Sequence, residues 1–227
     1  MIIVNVRPET TVPAELLERL RRIPPATIGH LRDFGFMDIA LRPVGRRRFA
    51  ICGPAVTVKA MAIDSTVVHT AIGMAQAGDV LVIDRNGDAK HACFGEMTSL
   101  AAKLRGLAGT IVDGPATDVV EIEDMEYLVF SRGISPITTR SLAMAGEINT
   151  SVQCGGVVVN PGDIILADDN GILVIAPDDV AELVELCEPR AQHEPEIRRR
   201  LLAGESLPEM TGANQKIAAA LAAGAQH

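Results

Sequence analysis

The sequence predicts an α/β protein with a strand–helix–strand core and helices at its C-terminal end. Three observations predict it. First, DVLVID (79–84) and GTIVD (109–113) are short, β-branched apolar runs without polar alternation, the pattern of parallel strands buried on both faces. Second, the segment between them reads as a helix. Gly95-Glu96 opens it, Leu100, Ala101, Lys103 and Leu104 continue it, and Gly106 closes it. Third, from Asp178 onward the chain turns to helix-forming composition.

A strand–helix–strand crossover is right-handed. It gathers the loop after 79–84, the helix start at 95–98 and the loop after 109–113 at the carboxyl edge of the sheet. Open α/β sheets bind ligands there. The first turn of a helix offers unpaired N–H groups and partial positive charge to an anion. Asp118 follows closely and is placed to hold a cation. The same carboxylate suits the N-cap of a helix over Val119–Met125, and Glu121 in that helix's first turn suits its dipole.

Taken in order, VPAELLERLRR (12–22) fits an amphipathic helix with Leu16, Leu17 and Leu20 on one side, ended by Pro24-Pro25. A second short helix is expected over Ala26–Phe34, with His30 on its surface. The run Arg46-Arg47-Arg48 reads as a solvated turn or an anion contact. FAICGPAVTVKA (49–60) is a strand in which Gly53-Pro54 suggests a bulge or an edge. Ser65–Ala75 is a helix with Val68, Ala71, Ile72 and Ala75 as its apolar stripe. His69 lies beside that stripe, as a packed histidine or a site residue.

Residues 85–91 are polar, with Asn86-Gly87 as a turn. The strand at 109–113 is expected to stop at Gly114-Pro115. Residues 151–160 are strand-like, interrupted by Gly155-Gly156. Residues 163–167 and 171–176 read as a hairpin turned at Asp168-Asp169-Asn170-Gly171. Those acidic residues lack the spacing of a calcium loop. Helices over Asp178–Glu188 and Glu194–Ala203 are bounded by Pro177 and Pro189, and an alanine-rich helix follows from Asn214.

The 227 residues suit a single domain, 1–227, with a core over about 26–177 and a helical appendage over 178–227. Lys and Arg number 21 against 29 Asp and Glu, giving a net charge of −8. That balance argues against a nucleic-acid partner, as does a chain with 5 Phe, 1 Tyr and no Trp to stack on bases. No apolar run approaches the length of a membrane span, and the N-terminus has no signal-peptide pattern. Cys52, Cys93, Cys154 and Cys187 are widely spaced without a CxxC, which suggests a reduced, cytoplasmic protein. Cys52 and Cys154 read as core residues.

The segments ICGPAVTV (51–58), AGDVLVI (77–83), GEMT (95–98), GTIVDG (109–114), VFSRG (129–133), NPGD (160–163) and ADDNG (167–171) resemble the RraA-like family in kind and order. This family includes 4-hydroxy-4-methyl-2-oxoglutarate/4-carboxy-4-hydroxy-2-oxoadipate aldolases. The resemblance covers residues 26–177 and implies a swivelling β/β/α layered fold. It implies Mg²⁺ or Mn²⁺ at Asp118 and a substrate carboxylate held by Gly95, Glu96, Met97 and Thr98. Glu121 matches an acidic position three residues past the metal ligand. The position before Asp118, an arginine that contacts substrate in the aldolases, is Thr117 here. Arg85, Lys90, His91 and Arg132 are the cations considered for the missing role.

The resemblance further implies a lyase acting on a small 2-oxo acid through a metal-stabilised enolate, as class II pyruvate aldolases and oxaloacetate decarboxylases do. It also implies a homotrimer or hexamer with sites between subunits, where Glu194 or Glu196 of a neighbour completes the site. The alternative it carries is a catalytically silent regulator that binds ribonuclease E.

Overall fold

The computed structural model describes residues 1–45 and 50–224, and Arg46-Arg47-Arg48 lie outside them. In chain order the elements are β1 (Ile2–Val4), α1 (Ala14–Arg21), α2 (Pro25–Ile28), β2 (Arg42–Pro43), β3 (Ile51–Ala60), α3 (Thr66–Met74), β4 (Val80–Asp84), α4 (Glu96–Leu104), β5 (Gly109–Ala116), α5 (Val119–Asp124) and β6 (Val129–Ile134). They continue with β7 (Gly146–Ile148), β8 (Val152–Cys154), β9 (Val157–Val159), β10 (Ile164–Asp168), β11 (Gly171–Ile175), a 3₁₀ turn at Pro177–Asp179, α6 (Val180–Leu202), α7 (Leu207–Thr211) and α8 (Ala213–Gly224).

The principal sheet runs β1-β7-β3-β4-β5-β6-β2, and β10 and β11 join it through β3. β3, β4, β5 and β6 are parallel to one another, which confirms the α/β class. Successive residues of these strands point to opposite faces. On one face Val56, Val58, Leu81, Ile83 and Val112 pack with α3 residues Val68, Ala71 and Ile72. On the other, Ala55, Val80, Val82 and Ile111 meet Ile165, Ala167, Ile172 and Val174 of the β10–β11 hairpin. The far side of that hairpin (Ile164, Leu166, Leu173, Ile175) buries Leu20, Ile28, Val180, Val184 and Cys187. A helix layer, a sheet and a covering hairpin are thus stacked through one apolar stripe per strand face.

The chain divides into two compact units, Met1–Glu188 and Pro189–His227. The first holds every strand described. The second is helical, containing the later turns of α6 with α7 and α8. No described helix is long and apolar enough to cross a membrane. All four cysteines are buried and none forms a disulfide.

Several expectations change. Gly53-Pro54 is neither edge nor bulge, because β3 is central. Its first residues pair with β10 and its later ones with β4 and β7, and Pro54 stands where partners change. Gly53 is required there, since a Cβ would lie 2.0 Å from the Gly78 carbonyl oxygen. β5 does not stop at Gly114-Pro115. It continues to Ala116 with a register shift between Val112 and Pro115, which places the missing N–H of proline at the irregularity. The second helix is only Pro25–Ile28, and the chain then turns so that Phe36 bridges to Leu173.

Gly155 and Gly156 both have positive φ and form a two-residue hairpin turn between β8 and β9. In the β10–β11 hairpin the loop is Asp169-Asn170, with Asp168 paired to Gly171; the Asp168 carboxylate accepts from Asn170 N at 2.8 Å. Pro189 does not end a helix: α6 runs unbroken through Pro189 and Pro195.

Candidate functional site

The carboxyl ends of β5 and β6 and the start of α4 enclose a cleft of about 200 Å³. Gly95–Thr98, Thr117 and Asp118 line it, together with Ala92–Phe94, Ser65, His69 and Thr138–Ser141. The crossover connection therefore brings together the residues expected of a carboxylate cradle and a cation ligand. Glu121 is exposed in the first turn of α5 and is not among the lining residues.

Asp118 has left-handed backbone (φ 56°, ψ 52°), a conformation that Asp tolerates better than most residues. Its carboxylate makes no cap bond to α5. It turns across the cleft instead: Glu96 N donates to Oδ2 at 2.9 Å and the Thr117 hydroxyl donates to Oδ1 at 3.1 Å. Phe94 O accepts Thr117 N at 3.0 Å, which ties the two loops together. Gly95 N donates to Thr98 Oγ1 at 2.8 Å. Among the described residues Met97 N and Thr98 N have no acceptor, so two helix-start amides are left unpaired in residues that line the cleft, beside an exposed carboxylate.

The donor set at Asp118 fits a hard divalent cation. Each oxygen accepts one hydrogen bond and keeps a lone pair, and no arginine or lysine neutralises it among the described residues. No cluster of three His, Cys, Asp or Glu side chains surrounds it among those residues. Such a site leaves the remaining positions to water and ligand oxygens, the coordination that Mg²⁺ favours.

Gly95 is dictated by this geometry rather than by its backbone, which is extended. A Cβ there would lie 2.4 Å from Asp118 Oδ2 and 2.5 Å from Thr117 Cγ2. Gly95→Ala is expected to leave the fold intact, displace the Asp118 carboxylate and weaken ligand binding at least ten-fold. Calorimetric titration with oxalate in Mg²⁺ buffer, beside a circular-dichroism melt, checks both parts.

The four cations considered in place of an arginine at 117 lie elsewhere or are committed. Arg85 is fully buried. Its guanidinium donates to Ala60 O at 3.3 Å, Ala62 O at 2.5 Å and Asp88. His91 bonds Asp88 through Nδ1 at 2.8 Å, and Lys90 is exposed outside the cleft lining. Arg132 pairs with Asp38 and Asp113 in a separate groove. His69, expected as a packed histidine or a site residue, is exposed on the cleft rim. Sequence reasoning missed Arg140, the one lysine or arginine in the lining among the described residues.

Next to the lining residue Ser65, Asp64 is buried at 1 % exposure. Burial opposes its charge, but the Thr66 hydroxyl and the N–H groups of Thr66, Met144 and Leu142 outweigh burial and hold its carboxyl well below the usual range. At Asp88, likewise, bonds from Lys90 N and His91 outweigh burial and lower the value to about 2. A depressed carboxylate stabilises the fold fully above its unfolded value near about 4. That contribution fades as pH falls through the folded value. The urea midpoint is therefore expected to drop between pH 4 and pH 2.5, and to drop less over that interval in Asp64→Asn.

A family model described as RraA-like, Aldolase/RraA, matches residues 26–174. A protein of Methanocaldococcus jannaschii, itself uncharacterised, is 33% identical over 187 residues, 81% of this chain and 89% of the relative. A protein of Halalkalibacterium halodurans, named provisionally as a 4-hydroxy-4-methyl-2-oxoglutarate aldolase, is 32% identical over 83% of this chain and 89% of its own length. Among solved structures, a member of the RNase ES inhibitor RraA family from Streptomyces coelicolor superposes with TM-score 0.73 at 26% identity, covering 84% of this chain and 99% of that one. The α/β architecture with a cleft at the carboxyl edge of its parallel strands defines the class. Within it, this chain belongs to the RraA-like family.

Proposed function

We propose that the protein is a divalent-metal-dependent lyase that cleaves a C–C bond of a small 2-oxo acid, in the manner of a class II pyruvate aldolase or oxaloacetate decarboxylase. The observation that carries this reading is the pairing, in one cleft, of acceptor-free amides at the start of α4 with the Asp118 carboxylate. The name of the Halalkalibacterium halodurans relative supports the substrate class.

Met97 N and Thr98 N bind the substrate carboxylate, assisted by the helix dipole. Asp118 holds Mg²⁺ or Mn²⁺, and the Thr117 hydroxyl and Glu96 N fix its orientation. When bound, the cation would polarise the 2-oxo carbonyl and favour enolate character as the C–C bond breaks. The chain's own contribution is to orient the carboxylate and keyed carbonyl so that the scissile bond faces the open cleft. Glu121 has no step in this reading. The active form is taken as a homotrimer or hexamer, to be checked by light scattering. Glu196, one of the two residues considered for a neighbour's contribution, forms a bidentate pair with Arg199.

The test is pyruvate release from oxaloacetate and 4-hydroxy-4-methyl-2-oxoglutarate with Mg²⁺ or with chelator. Chelator-sensitive release supports the lyase. The likeness to the Streptomyces coelicolor structure favours a second reading, a protein-binding regulator of a ribonuclease. Inhibition of purified ribonuclease E without any metal-dependent pyruvate release would select it.

A further inference from the structure

We propose that Arg85 is a positioning residue for the cleft, a buried guanidinium that fixes three segments of its wall without itself lining it. Its effect on turnover rests on the lyase reading, and its effect on the wall does not. Arg85 follows β4 and is fully buried. Nη1 donates to Ala60 O at 3.3 Å, and Nη2 donates to Ala62 O, to Asp88 Oδ2 at 3.3 Å and to His91 O at 3.4 Å. One planar group thus joins the end of β3 to the loop after β4. β5 is shaped around it from a third side, since a Cβ on Gly114 would lie 2.6 Å from Arg85 Cγ and 3.0 Å from Asp88 O.

All three segments run on into the cleft lining. The end of β3 leads through Ile63 to Ser65, and Ile63 O accepts Arg140 N at 2.7 Å. His91 is followed by Ala92, Cys93 and Phe94, and Gly114 by the stretch that ends in Thr117 and Asp118. Burial pushes the Cys93 thiol up to about 11 against the pull of the Arg85 charge, so the guanidinium is felt at the lining itself. The segments are also bonded to one another. Phe94 O accepts Thr117 N at 3.0 Å, and Ala92 O accepts Thr139 N at 3.1 Å. A shift at Arg85 would therefore be carried to Asp118 and the α4 amides.

Two features separate this role from simple stabilisation. Nε has no hydrogen-bond partner among the described residues, and an unpaired buried donor opposes folding. An apolar side chain of similar volume would fill the same space without that cost. Ala62 has φ 44°, in the left-handed region that a residue with a Cβ enters only at a cost. Nη2 bonds the carbonyl of that same residue, and the strained turn leads into Ser65. Strain held in place by a buried cation beside a cleft is preorganised geometry.

The experiment compares the full-length wild type with Arg85→Met, which fills the space, and Arg85→Lys, whose single ammonium cannot span both alanine carbonyls and Asp88. The first readout is pyruvate release from oxaloacetate in Mg²⁺ buffer, beside the urea midpoint of each protein. In Arg85→Lys kcat is expected to fall about 30-fold or more, with KM within about three-fold of wild type and the urea midpoint close to it. The second readout is amide hydrogen exchange without ligand. Ala92, Thr117 and Arg140 are expected to lose protection about ten-fold or more in both variants, while the β10–β11 hairpin keeps its own. If Arg85→Met does not fold, Arg85→Lys carries both readouts. A kcat that falls only in step with the urea midpoint, protection lost evenly along the chain, or no change in either variant overturns the proposal. A wild type that releases no pyruvate removes the lyase reading alone, and the exchange pattern then decides the role of Arg85.

Discussion

Asp118→Ala is expected to lower metal-dependent kcat/KM by about 10³-fold, the scale of losing a preorganised electrostatic contact to developing negative charge. Asp118 is the acidic side chain in the cleft whose two oxygens are oriented by hydrogen bonds from both walls, Glu96 N and Thr117 Oγ1. Removing it also leaves Glu96 N without its acceptor at a helix start, a loss of about 1 kcal/mol in stability. Asp118→Asn separates the two effects. An amide oxygen still accepts from Glu96 N, so stability stays near wild type, while the charge proposed to hold the cation is gone and turnover is expected to fall as in Asp118→Ala. Steady-state kinetics over a Mg²⁺ series, with urea denaturation of the same samples, measures both. Full activity in either variant would remove Asp118 from the mechanism.

Arg7→Met is expected to destabilise the protein by about 3–5 kcal/mol, because it strands a buried carboxylate. Asp79 is fully buried and receives Arg7 Nε at 2.6 Å and Nη2 at 2.5 Å. Its Oδ2 also accepts Gln76 N at 2.8 Å at the entry to β4. The bond to Asp79, aided by its charge and opposed by burial, raises the Arg7 pKa, so the arginine stays charged throughout the accessible range. One fork of donors therefore ties the segment after β1 to the start of the strand that leads to the cleft. Loss of the partner costs more than loss of the pair. Arg7→Met with Asp79→Leu is expected to recover most of the stability, as buried ion pairs replaced by apolar groups of similar volume often do. Urea midpoints of the single and double variants check this, and a single variant as stable as wild type would contradict it.

The parts of the fold that were legible are those where one local rule decides. β4 is readable because a strand buried on both faces has no polar alternation. The α3 stripe is readable because Val68, Ala71, Ile72 and Ala75 recur at helical spacing, and all are buried. The site followed from the same logic: the crossover places α4's start beside the loop after β5, and Glu96 N meets Asp118 there. What escaped depends on distant chain. Arg85 resembles a loop cation in sequence, yet the carbonyls of Ala60 and Ala62 from the end of β3 turn inward to hold it. Pro115 resembles a strand terminator, yet a register shift accommodates it within β5. Arg140 carries no motif. It follows β6, and the rule that placed the loops after β4 and β5 at the carboxyl edge applies to the loop after β6 as well.

If the cleft stabilises an enolate of a 2-oxo acid, as proposed, hydrogen exchange on pyruvate reveals it whatever the leaving group. Pyruvate incubated in D₂O with the protein exchanges its methyl protons only if the enolate forms, and proton NMR reads the loss of the methyl signal. Exchange is expected to require Mg²⁺ or Mn²⁺, to stop with chelator and to be lost in Asp118→Ala. Exchange no faster than buffer at any concentration of either metal would contradict it.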